Sequence, residues 1–201
     1  MSFFVSRAVS PAPSQDRADV FARGEAAVLV VADGAGGMGD GGAAADLVLD
    51  RVREAVLDEE LDLLSPPRWS RLLFELAPAM ARVGETTVVI VVLVPGMLVH
   101  ASAGDSEAWL VGADTVTRLG ATSPRLGSGR EAPQVGARGP LRERLVVATD
   151  GLFRHAPRDG ILRVARGEKF GAVADALVAL ADGSDDVAVL VAESGSTRGS
   201  P

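Results

Sequence analysis

The sequence predicts an α+β domain built in layers, and three observations support that class. At 201 residues the chain suits one domain with a substantial buried core. Its apolar runs pair as hairpins: Thr86 to Val94 and Met97 to Ser102 flank Pro95-Gly96, a tight-turn dipeptide. Glu107 to Val111 and Thr115 to Leu119 form a second such pair. Helical spacing is confined to two groups, one before the hairpins and one after, which favours segregated layers over the alternating βαβ units of a doubly wound sheet.

Taken in order, Phe3 to Val9 reads as a strand, and Ser10-Pro11-Ala12-Pro13-Ser14 as a loop, because two prolines remove backbone donors. Ala26 to Ala32 is a Val-rich run suited to a strand buried on both faces; it stops at Asp33 and gives way to glycines from Gly34 to Gly42. Asp40 is placed to cap a helix in which Leu47, Val48, Val52, Val56 and Leu61 recur at helical spacing. Pro66-Pro67 breaks it, and a second helix is predicted from Arg68 to Arg82. After the hairpins, residues 120–143 hold no sustained period and read as a long loop. Arg144 to Thr149 is a buried strand ending at Asp150, Lys169 to Ala181 a helix, and Val187 to Ala192 a last strand. Residues 1–193 form the single predicted domain, and 194–201 a small polar tail expected to be disordered.

Composition narrows the function classes. Lys plus Arg is 20 and Asp plus Glu 27, a net charge of −7, which argues against nucleic acid or an anionic membrane as partner, since both reward a basic face. The absence of cysteine removes disulfides, thiolate catalysis and zinc-thiolate sites. With only His100 and His155, a His-rich zinc centre is excluded, so any metal is held mostly by oxygen. The N-terminus lacks the pattern of a signal peptide, and the longest apolar run, Val88 to Val94, is too short to span a bilayer. The expectation is a soluble cytoplasmic protein, with oligomeric state left open.

Gly34-Ala35-Gly36-Gly37-Met38-Gly39 fits G-x-G-x-x-G between a predicted strand and a predicted helix, the place of a dinucleotide fingerprint. The hairpins downstream and Asp33, whose charge would face a pyrophosphate, weigh against that reading. The aspartates give a better one. Asp33-Gly34 and Asp150-Gly151 each end an apolar strand, Gly104-Asp105-Ser106 ends a third, and Asp185-Asp186 precedes the last. Singly, each is an ordinary turn former. If the strand ends meet, the carboxylates cannot all stay ionised without cations, and Mg²⁺ or Mn²⁺ suits carboxylate and carbonyl oxygen.

Six short segments in order resemble the metal-dependent serine/threonine protein phosphatases of the PPM (type 2C) family, especially its compact bacterial members. Ser14-Gln15-Asp16 resembles N-E/Q-D, and Val31-Ala32-Asp33-Gly34-Ala35-Gly36-Gly37 resembles V-A-D-G-M-G-G. Gly84-Glu85-Thr86-Thr87-Val88 is similar to S-G-T-T-A, Gly104-Asp105-Ser106-Glu107-Ala108 to G-D-S-R-A, and Ala148-Thr149-Asp150-Gly151-Leu152 to T-D-G-L. Asp185-Asp186-Val187-Ala188-Val189 stands where the family has D-N-x-T-V. The resemblance implies a four-layer α-β-β-α sandwich of two antiparallel sheets flanked by helices. It also implies two Mn²⁺ or Mg²⁺ ions, with a third in bacterial relatives, at one edge. Carried over by position, Asp33 bridges the two metals, the Gly34 carbonyl binds one, Asp150 and Asp185 complete the second site, Asp105 serves the third, and Asp16 orients water. The implied reaction is hydrolysis of phosphoserine or phosphothreonine in a regulatory protein by water that the cations acidify.

The sequence departs from the family at informative places. Pro11 stands where an arginine usually clamps the substrate phosphate, and Arg7 lies further upstream. Ala35 offers no proton, Glu107 replaces an arginine and Asp186 an asparagine. The stretch from Asp105 to Asp150 is short, implying a reduced substrate-gating flap. Two readings follow: an active phosphatase, favoured by the metal aspartates, or a catalytically weak domain of the same fold that binds a phosphoprotein or regulatory partner, favoured by Pro11 and the short flap.

Overall fold

A computed structural model describes residues 2–11, 13–35 and 39–195. In chain order its elements are β1 (Phe3–Val9), β2 (Asp16–Arg23), β3 (Ala26–Ala35), α1 (Gly41–Leu57), α2 (Pro66–Val83), β4 (Glu85–Thr86), β5 (Val88–Val94) and β6 (Met97–Ala103). There follow β7 (Glu107–Val111), β8 (Val116–Leu119), β9 (Gln134–Arg138), β10 (Arg144–Ala148), α3 (Asp150–His155), α4 (Arg158–Gly167), a 3₁₀ turn (Phe170–Ala172), α5 (Val173–Val178) and β11 (Ala188–Ser194). One sheet has the order β1-β11-β10-β7-β8; the other runs β2-β3-β5-β6-β9, with β4 beside β3. Their pairings are antiparallel.

Three apolar cores separate four layers. In β3, Val28, Val30 and Ala32 face α1 and α2, while Leu29 and Val31 face the opposite sheet. β5 splits likewise, Val88, Ile90 and Val92 one way and Val89, Val91 and Leu93 the other. In β11, Ala188, Leu190 and Ala192 enter the inter-sheet core, and Val189 and Val191 the core beneath α3, α4 and α5. Because neighbouring strand residues point to opposite faces and both faces are dry, these strands are apolar throughout instead of alternating with polar residues. The four-layer α-β-β-α arrangement is the one the family resemblance implies. No helix among the described residues is long and apolar enough to cross a membrane.

The helix α1 starts where its cap dictates: the Asp40 carboxylate accepts from the Ala43 N–H at 3.0 Å, and Val48, Val52 and Val56 are buried on one face. It ends at Leu57, so Leu61 lies beyond it, and Pro66-Pro67 opens the next helix at positions where missing N–H groups cost nothing. In α2, Trp69, Leu73, Leu76 and Met80 form the buried stripe.

Several expectations are corrected. The predicted loop 120–143 contains β9, which pairs with β6. The segment Asp16–Arg23 is a strand, β2, that the sequence pattern does not reveal. The predicted helix from Lys169 to Ala181 is a 3₁₀ turn followed by the short α5, and α3 and α4 precede it. The expected disordered tail falls mainly on residues 196–201, outside the described residues, as do Gly36, Gly37 and Met38 of the glycine cluster.

Candidate metal centre

The predicted carboxylates arrive at one edge from both sheets. β2 and β3 pair with Asp16 directly opposite Asp33. Asp105 lies in the turn from β6 of one sheet to β7 of the other, and Asp150 follows β10 as the first residue of α3. Asp33, Asp105 and Asp150 each offer an oxygen within 4.8 Å of the others. They open, with Asp16 and Asp185, onto or beside a cavity of about 980 Å³.

Glycines let these strand ends approach. A Cβ on Gly34 would overlap the Gly41 carbonyl, and one on Gly151 the Asp186 carbonyl. At Gly104, where φ is +95°, a Cβ would fall 2.6 Å from the Thr87 methyl. The glycine beside each of the three aspartates is therefore the point at which another backbone segment or side chain passes.

Buried threonines fix the backbone of Asp33. Its N–H donates to Thr87 Oγ1 at 3.0 Å, and its carbonyl accepts from the Thr87 N–H and the Thr86 hydroxyl, each at 2.9 Å. Thr87 Oγ1 lies 2.6 Å from Ser106 Oγ, tying the turn that holds Asp105 to the same knot. The Thr86-Thr87 segment thus supports the site without facing it. Asp186 also joins segments of the chain. Its Oδ2 accepts from the Gln15 N–H at 2.8 Å, linking the loop before β2 to the approach to β11. Arg17 holds that loop from the other side, donating to Asp46 Oδ1 at 2.6 Å and to the Ser14 carbonyl at 2.7 Å.

Electrostatics mark the cluster. Burial raises the Asp16 carboxyl from 3.8 to about 8, helped by the charges of Asp33 and Asp186 and opposed by the Thr149 hydroxyl. Asp33 is raised by burial and by Asp150, with Arg125 opposing; Asp150 is raised by burial and Asp105, with Arg154 opposing. Asp16 Oδ2, Asp105 Oδ1 and Asp150 Oδ2 are buried without a hydrogen-bond partner. For Asp105 and Asp150 those oxygens face guanidinium nitrogens, Arg125 Nη2 at 3.5 Å and Arg154 Nη1 at 2.5 Å, as ion pairs outside hydrogen-bond alignment. Buried carboxylate oxygens that crowd and repel one another suit hard divalent cations, so the residues present fit such ions.

Not every predicted residue joins the triad. Asp185 lines the cavity but stands apart, about half exposed, with His155 Nε2 3.8 Å from its Oδ2. His155 also has Ser184 Oγ 2.7 Å from its Nδ1. Arg7, the arginine nearest upstream of the loop, pairs with Asp19 at 3.3 Å and does not line the cavity. Sequence reasoning misses Arg125 and Arg154. Arg154 carries a signal, its position four residues after Asp150, but only once Asp150 is known to begin a helix.

No protein-family profile and no curated protein sequence matches the chain. Solved structures do. The serine/threonine phosphatase Stp1 from Staphylococcus aureus superposes with a TM-score of 0.83 at 16% identity, covering 97% of this chain and 96% of that one. The Mycobacterium tuberculosis serine/threonine phosphatase PstP/Ppp gives 0.81 at 20% identity, covering 96% and 99%. This chain has the fold of these phosphatases. A structure of the catalytic domain of PstP in complex with two manganese ions gives 0.78 at 21% identity, covering 95% of this chain and 97% of that one. The phosphatase fold thus extends over nearly the whole chain at low sequence identity, and the four layers described above are its layers.

Proposed function

We propose that the protein hydrolyses phosphoserine or phosphothreonine in a regulatory protein, with divalent cations held at the strand-end carboxylates. The observation that supports this most strongly is the meeting of Asp33, Asp105 and Asp150 on a fold shared with serine/threonine phosphatases. Asp33, the Gly34 carbonyl, Asp150 and Asp185 would hold two Mn²⁺ or Mg²⁺ ions, and Asp105 a third. Bound there, such ions supply Lewis acidity, acidifying a water and offsetting charge on the phosphoryl oxygens.

The chain's own groups do the rest. Thr86 and Thr87 keep the Asp33 backbone still, so its carboxylate is presented without reorganisation. Asp16, buried opposite Asp33, accepts a hydrogen bond from the attacking water and directs its lone pair toward phosphorus. Ala35 has no titratable group, so it supplies no proton to the departing serine or threonine oxygen. No cysteine or histidine nucleophile enters this scheme.

The test is hydrolysis of an aryl phosphate and a phosphoserine peptide. Activity should rise with Mn²⁺ and fall at least about 100-fold in Asp33→Asn and in Asp150→Asn. Metal-independent turnover, or full activity in both variants, would contradict the reading. Mn²⁺ binding with no turnover of any phosphopeptide would favour the second reading, a binding domain of the same fold, for which Pro11 is the supporting observation.

A further inference from the structure

A phosphate dianion entering this cavity meets Asp16, Asp33, Asp150, Asp185 and Asp186, with Asp105 beside Asp33 and Asp150. Binding it requires cationic donors aimed at the same place, and the upstream arginines are committed elsewhere: Arg7 pairs with Asp19 and Arg17 with Asp46. Among the described residues, the arginines lining the cavity are Arg82, Arg125 and Arg154. Arg82, at the exposed end of α2, forms no ion pair with these aspartates, whereas the other two each pair with two members of the triad.

Arg154 projects from α3, one helical turn after Asp150. Its Nη2 donates to Asp105 Oδ2 at 2.6 Å, and its Nη1 lies 2.5 Å from Asp150 Oδ2. Arg125 comes from the loop between β8 and β9, with Nη2 3.5 Å from Asp105 Oδ1 and 4.0 Å from Asp33 Oδ2. A guanidinium carries five N–H donors in a planar fork matched to phosphate. Among the described residues Arg154 places one of them in an aligned side-chain hydrogen bond, to Asp105, and Arg125 places none. Arg154 is about half exposed and Arg125 about one third, so both are anchored at the guanidinium by carboxylates yet remain open to the cavity.

We propose that Arg154 and Arg125 together form the substrate-phosphate clamp of this protein, gripping two oxygens of a phosphomonoester dianion beside the aspartate triad. Asp105 orients both guanidinium groups, and so acts as a positioning residue for the clamp as well as a carboxylate of the site. The clamp takes over the role for which Pro11 leaves no arginine. It comes from the loop between β8 and β9 and from the helix that starts at a site aspartate. Its ligand is the phosphate group itself, whatever protein carries it. The proposal rests on the phosphatase reading above, but it is tested through binding as well as turnover.

Orthophosphate is titrated calorimetrically into the Mn²⁺-loaded protein, and kcat and KM for an aryl phosphate are measured alongside. Loss of charge-assisted phosphate contacts in Arg154→Ala should weaken orthophosphate binding and raise KM by about 10-fold or more, with a smaller effect in Arg154→Lys, whose charge lacks the fork. Arg125→Ala should act in the same direction, and neither alanine variant should bind Mn²⁺ more weakly than wild type. Unchanged phosphate affinity and KM in both alanine variants overturn the clamp while leaving the phosphatase reading intact. Loss of Mn²⁺ binding in Arg154→Ala also overturns it, since that arginine would then only organise the carboxylates. A wild type that binds orthophosphate through Arg154 but hydrolyses nothing keeps the clamp and overturns the phosphatase reading.

Discussion

Asp16 and Asp33 face each other across two paired strands, where like charges ordinarily repel. Asp16 is also 3% exposed, and its carboxyl is raised to about 8. Its proton is therefore retained in the folded chain and released in the unfolded one, where the pKa is near the ordinary 3.8. With the folded pKa above the unfolded value, stability is greatest below about pH 4 as far as this group is concerned, and declines as pH rises toward 8. Asp33 and Asp150 are shifted upward too and contribute with the same sign. In EDTA, the melting temperature of the wild type should fall by at least about 5 °C between pH 5 and pH 8, and Asp16→Asn should flatten that slope. Equal slopes in the two proteins would show that Asp16 does not hold its proton at neutral pH. Asp33 and Asp150 are readable in sequence because each ends an apolar run, whereas Asp16, in a polar stretch, is singled out only by the resemblance of Ser14-Gln15-Asp16 to a family segment. Arg125 and Arg154 are not, because an arginine in a polar stretch gives no sign of which carboxylate it meets until the elements are placed.

Elements matter here through the places where they nearly touch. Gly151 opens α3 against the Asp186 carbonyl, and that approach holds the end of β10 beside the segment leading into β11. Gly151→Ala should cost about 1–3 kcal/mol in thermal or chemical denaturation, since the backbone must retreat. Gly160→Ala in α4, where the new Cβ would lie 3.7 Å from Leu180 in ordinary contact, should be neutral or stabilising by up to about 1 kcal/mol. Equal effects at both positions would remove the close approach as the reason for the Asp-Gly pair. The same physics explains which elements the sequence reveals. β3, β5, β10 and β11 are central strands with two dry faces, so their apolar runs are unmistakable. β2 and β9 are the two edges of one sheet, and they carry Asp16, Arg17, Asp19, Gln134 and Arg138 in place of such runs. α4 hides for another reason: with Gly160 inside it and Ile161 and Ala165 as its buried apolar residues, its stripe is too sparse to read.

Across the whole molecule, the acid excess acquires a location. By itself a net charge of −7 argues only against basic-surface functions, but the folded chain gathers aspartates from both sheets at one cavity and sets two arginines among them. Neither sheet alone could assemble this cluster. β2 and β3 deliver Asp16 and Asp33, the other sheet delivers Asp150 and Asp185, and Asp105 lies on the crossing between the two sheets. The sandwich is thus the device that converts separate turn-forming aspartates into a candidate cation site. Anomalous diffraction from crystals grown with Mn²⁺ tests this most directly. Peaks are expected in the cavity with carboxylate oxygens of Asp33 and Asp150 at about 2.0–2.6 Å, the range of hard cations bound by oxygen. A cavity without an anomalous peak at saturating Mn²⁺, or manganese bound only at surface carboxylates elsewhere, would contradict it.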